Sequence, residues 1–383
     1  MITRTPTRHV FTRLQTSQKG MALVIVMILV MALAVIVGVF AHAIKVETKL
    51  TANTRAESDL EWLGRSGVEV ARWVLAEQKR LPGQNQVDAL NQFWAGGPGP
   101  TNLLDNPFEG WSLDRIELGP GWFSLRIIDQ ERKMNINALA DPRNPANALL
   151  MERALNYAGA DATDSSSILN ALRDWVDRDH NPSTGSSMGG AESEFYLSLD
   201  PPYIAKDGPI DDITELLKVR GITPEIFWGA SGGSSGNGDA GDGNGRGLVD
   251  LFCALSSQQV NVNTASADVL AVVLGVDPSM VQETIIMARA GDNGVEGDED
   301  DRPFPNPQVA AAMIGQSGAV AGVGGGGTPA AAPGAPGPTR LSSQSSVFEV
   351  RVDAHIGGSS RRFVAMLDRR NPRDPRILYF RRD

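Results

Sequence analysis

The pattern of apolar and polar positions changes character several times along the chain. Residues 1–20 carry Arg4, Arg8, Arg13 and Lys19, with no acid and no periodic apolar face. From Met21 to Ile44 there is no charge, and His42 is the only ionisable group. At about 1.5 Å per helical residue this run reaches roughly 36 Å, enough to cross a bilayer. Beyond Glu47, Leu60, Leu63, Gly67, Val70, Ala71 and Val74 recur at helical spacing, and Thr48, Lys49, Asn53, Arg55, Glu57, Asp59 and Glu61 fill the other faces. A single helix is therefore predicted to leave the membrane, become amphipathic and stop near Leu81-Pro82-Gly83.

Strand alternation follows. Ser112–Leu118 and Trp122–Asp129 flank the turn residues Gly119-Pro120-Gly121 and read as a hairpin. After Glu131–Asp141 the pattern is mainly helical. Alternation returns at Phe348, Val350, Val352 and Ala354, then at Phe363, Ala365 and Leu367, and finally over Ile377–Phe380. Two strand-rich segments thus bracket a long helical stretch, and the simplest account is an antiparallel sheet with an all-α domain inserted into it, an α+β fold. Gly/Ser-rich residues 229–247 and Gly/Ala/Pro-rich residues 315–338 read as flexible connections. Arg361, Arg362, Arg369, Arg370, Arg381 and Arg382 could meet an acidic partner, but read first as solvated cations of edge strands.

Composition narrows the functional classes. A formal charge of −10 over 383 residues argues against a partner gripped through its phosphates. The single cysteine, Cys253, excludes an intramolecular disulfide. Of four histidines, His9 and His42 fall in the leader and the apolar run, so a nucleophile–histidine pair is barely available. With no Walker, Rossmann or zinc motif either, the chain reads as a non-enzyme.

The basic flank places the N-terminus in the cytoplasm and the rest of the chain beyond the membrane. The apolar run can be read as a plain anchor or, with Phe40–Ala43 as a faint small-x-small site, as a secretory signal. A third reading rests on Gly20, which precedes the apolar run on its cytoplasmic side. That arrangement resembles a type IV prepilin-like signal, which implies cleavage between Gly20 and Met21 and N-methylation of Met21. In that family the fifth mature residue is usually Glu, whereas here it is Ile25. A buried Glu needs a partner, and in pilin-like filaments that partner is the amine of the subunit above. A subunit with Ile25 needs nothing above it, so it suits the tip of a filament.

Three further segments complete a family resemblance: "KMNINALAD", the stretch from "LRDWVDRDHNP" through "GGAESEFYLSLDPPYIAKDGPIDDITELLKVRGITPEIF", and "VNVNTASADVL". With the Lys-Gly-Met junction they resemble the K-type minor pseudopilin of type II secretion systems over nearly the whole chain. The resemblance implies a leader at 1–20, transmembrane and periplasmic helix halves at 21–44 and 45–81, and a pilin-like sheet at 82–133 and 339–383. It places the inserted α-domain at 134–314 and a linker at 315–338. It implies a single-pass protein of the Gram-negative inner membrane with its bulk in the periplasm, at the tip of the secretion pseudopilus. Implied partners are the I- and J-type minor pseudopilins and possibly the H-type, the major pseudopilin, the prepilin peptidase and the inner-membrane assembly platform, with no nucleic acid. A minor pilin of a type IV pilus is the alternative.

Two local motifs carry candidate chemistry. Asp177, Asp179 and Asn181 have the 1-3-5 oxygen spacing of an EF-hand start, but Pro182 and Met188 break that pattern, leaving a solvated acidic loop or another metal site. The family's calcium-binding α-domain implies a structural calcium ion on Asp177, Asp179, Glu192 and Glu194, with a backbone carbonyl near Tyr196. A second acidic run, Gly291–Asp301, could hold another ion through Asp298, Asp300 or Asp301, but reads first as solvated charge. "VNVNTASADVLAVVLGVDPSMVQETIIMAR" also resembles a helix-hairpin-helix unit of membrane-anchored DNA receptors. Asp277, however, stands where a phosphate would dock, and as an N-cap before Pro278 it serves the helix instead.

Overall fold

A computed structural model describes residues 19–99, 105–141, 145–178, 190–229, 247–320 and 340–383. The described residues fall into two compact units, one ending at Asp59 and one running from Leu60 to Asp383. Helix α1, Lys19–Gln78, contributes to both.

The first unit is this helix alone. It is already formed at Lys19, so the Gly20–Met21 bond lies within its first turn. Every side chain from Met21 to Leu50 is exposed, as a run made for lipid or for neighbouring helices requires. Where polar residues begin, Thr48, Thr51 and Thr54 donate their hydroxyls to the carbonyls of Ile44, Glu47 and Leu50 at 2.8–2.9 Å. These bonds satisfy the hydroxyls within the helix.

The second unit contains two cores. In the first, Leu60, Leu63, Ala71, Val74 and Leu75 of α1 pack on one face of a five-stranded antiparallel sheet. Its strands are β1 (Ile116–Leu118), β2 (Gly121–Asp129), β3 (Val347–Ile356), β4 (Ser359–Asp368) and β5 (Arg376–Arg382), in that spatial order. β1 is shorter than the hairpin pattern suggests, because pairing begins only at Ile116. β2 pairs directly with β3 from Trp122↔His355 to Asp129↔Phe348, although residues 130–346 intervene. Phe123, Leu125 and Ile127 therefore share a face with Phe348, Val350, Val352 and Ala354.

Helix and sheet approach closely because two helical positions lack side chains. A Cβ on Gly64 would meet the Phe363 ring at 2.4 Å, and one on Gly67 would meet Val352 Cγ1 at 2.5 Å. Glycine costs helix stability, so here packing decides the residue.

The segment between β2 and β3 builds the second core. Its longer helices are α2 (Pro145–Tyr157), α3 (Ala162–Val176), α4 (Ala267–Leu274), α5 (Pro278–Arg289, with a π-turn at Gln282–Ile286) and α6 (Pro307–Val320). Leu150, Leu155, Leu169, Leu172, Leu270, Val281 and Ile285 meet in one apolar cluster. α4 and α5 cross at 113° and carry buried side chains of that cluster. α6 continues to Val320, beyond the expected start of the linker at residue 315. Most of both glycine-rich stretches lies outside the described residues.

Candidate functional site

The expected processing site opens α1, and Ile25 is exposed on its first turns beside Met21 and Leu23. No acidic side chain stands in the first turn. Met21–Gln78 is the helix, among the described residues, long and apolar enough to cross a membrane on its own.

The residues expected to hold calcium are placed unevenly. Asp177 is the C-cap of α3 and half-buried, and its N–H donates to the Arg173 carbonyl at 2.9 Å. Glu192 is buried at the N-cap position of the short helix Ser193–Leu197, in whose first turn Glu194 is exposed. Asp179 lies outside the described residues. Among the described residues no three His, Cys, Asp or Glu side chains gather into a cluster that could hold a metal ion. The Tyr196 carbonyl already accepts from the N–H groups of Leu199 and Tyr203 at 3.3 Å. Carboxylates on a loop suit a hard cation, and the described part of the set is incomplete without Asp179.

Asp174 adds an acid that sequence reasoning missed. It is fully buried on α3, one turn before Asp177, and a Cβ on Gly190 would lie 1.5 Å from its Oδ2. The backbone of Gly190 can therefore lie against this carboxylate only because it lacks a side chain. Around it, Trp175, Tyr196 and Tyr203 form an aromatic cluster with centroid distances of 5.2–6.3 Å. Arg220 stacks on Phe195 at 4.6 Å, and its N–H donates to the Tyr196 hydroxyl at 3.3 Å. The "GGAESEFYLSLDPPY" stretch thus encodes an aromatic knot closing over the end of α3.

Both Asn-x-Asn motifs are clamps, half-buried at Asn135 and Asn137 and buried at Asn261 and Asn263. The Asn135 side chain accepts from the Ala138 N–H at 3.2 Å and donates to the Ser256 carbonyl at 2.7 Å, while Asn137 exchanges bonds with Ile210 and donates to Ala254. Asn261, fully buried, donates to the Asp88 carbonyl, Asp129 Oδ2 and Ser345 Oγ at 2.8–3.2 Å. Asn263 exchanges two bonds with the Phe304 backbone, at 2.7 and 3.0 Å. In the hairpin that follows, Asp277 Oδ1 accepts from the N–H and hydroxyl of Ser279 at 2.9 and 2.6 Å. That is the capping role its sequence context predicts.

Asn261 belongs to a polar junction between sheet and insert. Asp129 Oδ2 also accepts from Thr264 and Ser345 at 2.5 and 2.6 Å. Burial, reinforced by nearby Glu131, pushes the Asp129 carboxyl up to about 8. Asp88, without exposed surface, pairs with Arg369 at 2.7 Å and Lys79 at 3.0 Å. Burial holds the Lys79 ammonium below its usual range, against the pull of Asp88. Arg369 also stacks on Phe348 at 4.4 Å and donates to the Ser345 carbonyl at 2.8 Å. It is a core residue rather than a solvated strand cation, and its partner stands too far away in sequence for local charge patterning to reveal it.

The second acidic run folds on itself. Asp300 Oδ2 accepts the N–H groups of Asp292 and Asn293 at 2.8 and 3.1 Å, Asp301 Oδ2 accepts that of Gly297 at 2.8 Å, and Glu296 pairs with buried Arg289. These carboxylates cap turns instead of merely facing water.

The architecture defines a class. It has a single long helix, apolar at its N-terminal end, packed lower down on an antiparallel sheet that is interrupted by an α-domain. Residues 132–228 match the family model described as type II secretion system (T2SS), protein K. The chain is 25% identical over 282 residues to the type II secretion system protein K of Klebsiella pneumoniae, covering 71% of this chain and 73% of that protein. It is 26% identical over 293 residues to the protein K of Pseudomonas aeruginosa, covering 75% and 77% respectively. The fold is similar to a chain in the crystal structure of the GspK-GspI-GspJ complex of enterotoxigenic Escherichia coli. The TM-score is 0.61, with 18% identity over 87% of this chain and 99% of that one. By local sequence and by fold the chain is similar to the type II secretion system protein K proteins.

Proposed function

We propose that this chain is the tip subunit of a type II secretion pseudopilus, where it initiates or caps assembly for protein export across the outer membrane. The observation that carries the reading is the start of α1, an exposed apolar helix whose first turns hold Ile25 and no carboxylate. A shaft subunit needs an acid to receive the amine of a neighbour, and a buried charge without such a partner is costly. A subunit lacking that acid can still offer its own amine at Met21 to the subunit below. Cleavage between Gly20 and Met21, methylation of Met21 and insertion in the inner membrane with the bulk periplasmic are parts of this reading.

The Escherichia coli relative was crystallised with GspI and GspJ, and we extend the I- and J-type partners to this chain. Trp62 and Trp73 are exposed on one face of α1 and offer apolar surface to neighbouring helices. The bulky insert favours the end of a filament over its shaft. In this reading the chain's part is structural.

N-terminal mass spectrometry of the membrane-extracted protein tests the foundation. A mature chain beginning at methylated Met21 is expected, and an intact leader or cleavage near Ala43 would remove it. Ile25→Glu should displace the protein from the tip or impair secretion; a variant that secretes normally from the tip position would overturn the assignment.

A structural calcium ion on Asp177, Asp179, Glu192 and Glu194 belongs to the same proposal. It would cross-link a loop that has no disulfide to hold it. Its test is the melting temperature with added calcium against a chelator: the expected result is a chelator-induced fall that Asp177→Asn abolishes, and an identical melt in both conditions would refute it.

A further inference from the structure

The sheet face turned away from α1 carries a cleft that neither the assembly helix nor the acidic loop explains. Its volume is about 200 Å³, bounded on one side by β3 and β5 and on the other by Arg132, Lys133 and the Val249–Leu255 segment of the insert. The charged groups along its wall are unequally matched. Glu349 pairs with Arg351 at 2.6 Å, Asp212 with Arg381 at 3.1 Å, and Asp211 with Lys206 at 2.7 Å. Each carboxylate lining the cleft is therefore already engaged. The two cations contributed by the insert are not balanced in this way.

Lys133 Nζ donates to the Val249 carbonyl at 2.7 Å and has no carboxylate partner among the described residues. Arg132 has neither a hydrogen bond nor an ion pair among the described residues, although the residue lines the cleft. Asp129, Glu296 and Asp250 act on Arg132 only through space. Asp250 likewise acts on Lys133 without an ion pair, and burial raises its carboxyl above the usual range. Burial also pulls both cations below their usual ranges. A planar guanidinium with five donors and an adjacent ammonium, partly desolvated and without a bound acid, match a carboxylate fork. The space suits one short side chain, since a water takes about 30 Å³ of liquid volume.

We propose that this cleft is a carboxylate receptor in which Arg132 and Lys133 take the Asp or Glu side chain of a protein partner. The net charge of the chain is negative, which makes a locally basic pocket a selective feature for an acidic group rather than part of a general anion trap.

The test uses the full chain in detergent micelles with two probes, acetyl-Ala-Glu-Ala-amide and acetyl-Ala-Gln-Ala-amide, and sodium sulfate at matched ionic strength. Labelling of Arg132 by an arginine-specific dicarbonyl reagent is read by peptide mass spectrometry across a titration of each probe. The expected result is saturable protection by the Glu peptide, with the Gln peptide and sulfate leaving labelling unchanged. Arg132→Gln should weaken Glu-peptide binding roughly tenfold or more, as loss of a charge-assisted bidentate contact does, without moving the melting temperature. Equal protection by the Glu and Gln peptides, equal protection by sulfate, or no protection at all overturns the proposal. Should Arg132→Gln fail to fold, the comparison of probes on the unaltered protein decides it.

Discussion

Replacing Gly64 with alanine should weaken the packing of helix against sheet, against the direction that helix propensity alone predicts. In an open helix, Gly→Ala stabilises by about 1 kcal/mol. Here the added methyl would lie 2.4, 2.7 and 2.8 Å from three atoms of the Phe363 ring. Ordinary carbon contacts begin near 3.5 Å, so ring or helix must retreat by roughly 1 Å. The ring has little freedom, since Phe363 is buried and stacks on Phe380 with centroids 5.4 Å apart. Overpacking of this kind costs about 1–3 kcal/mol, and a shift of the helix also loosens Leu60, Leu63 and Leu75, so the upper end applies. Subtracting the propensity gain leaves a net loss of about 2 kcal/mol. Denaturant unfolding of the full chain in micelles, followed by near-ultraviolet circular dichroism, measures it. Gly38→Ala, where a Cβ meets nothing within 4 Å, is the control and should be neutral or slightly stabilising. A Gly64→Ala protein as stable as the parent would refute this account of why the helix lacks side chains there.

Three further outcomes are expected. Arg369→Met should cost about 3 kcal/mol, the lower end for breaking a buried pair, because it leaves the buried Asp88 carboxylate with Lys79 as its remaining cationic partner; chemical denaturation measures it, and a loss below 1 kcal/mol, the scale of surface pairs, would refute the buried-pair reading. Asp129 has a folded pKa of about 8, above its unfolded value near 4. The folded state therefore keeps a proton that the unfolded state releases, so this group's stabilisation is complete at low pH and is lost as pH rises towards 8. The stability of Asp129→Asn relative to the parent should rise across that window in a series of melts, and a pH-independent difference would contradict it. Cys253, buried with its thiol pushed up to about 12 by burial, should resist a thiol reagent until the chain unfolds; rapid labelling of the native protein would show that this pocket opens.

The parts legible in the sequence were those carried by local periodicity. The apolar run from Met21, the amphipathic repeat through Leu60, Leu63 and Val74, and the alternation at Phe348–Ala354 each reflect a helix or strand with one side against an apolar environment. Asp277 before Pro278 was equally readable, since a cap acts within its own turn. Long-range chemistry left no such trace. Arg369 looks like any strand arginine until Asp88 is placed 2.7 Å away. The partners of Asn261 come from the loop after α1, the end of β2 and the segment before β3, so its role as a clamp emerges only from the fold. Asp174 was hidden for a related reason: its environment depends on the backbone of Gly190, across a stretch with no regular period.

The direct pairing of β2 with β3 has a consequence for how the protein is made. The apolar face of α1 is complete once residue 78 has been synthesised, yet most of the sheet that covers it comes from residues 347–382. During synthesis that face stays uncovered while the whole insert emerges, and the insert, with its own apolar core, can fold in the interval. Closure of the sheet therefore waits for the C-terminal strands. Loss of the final two strands would strip Phe363, Ala365 and Leu367 from the face that covers α1.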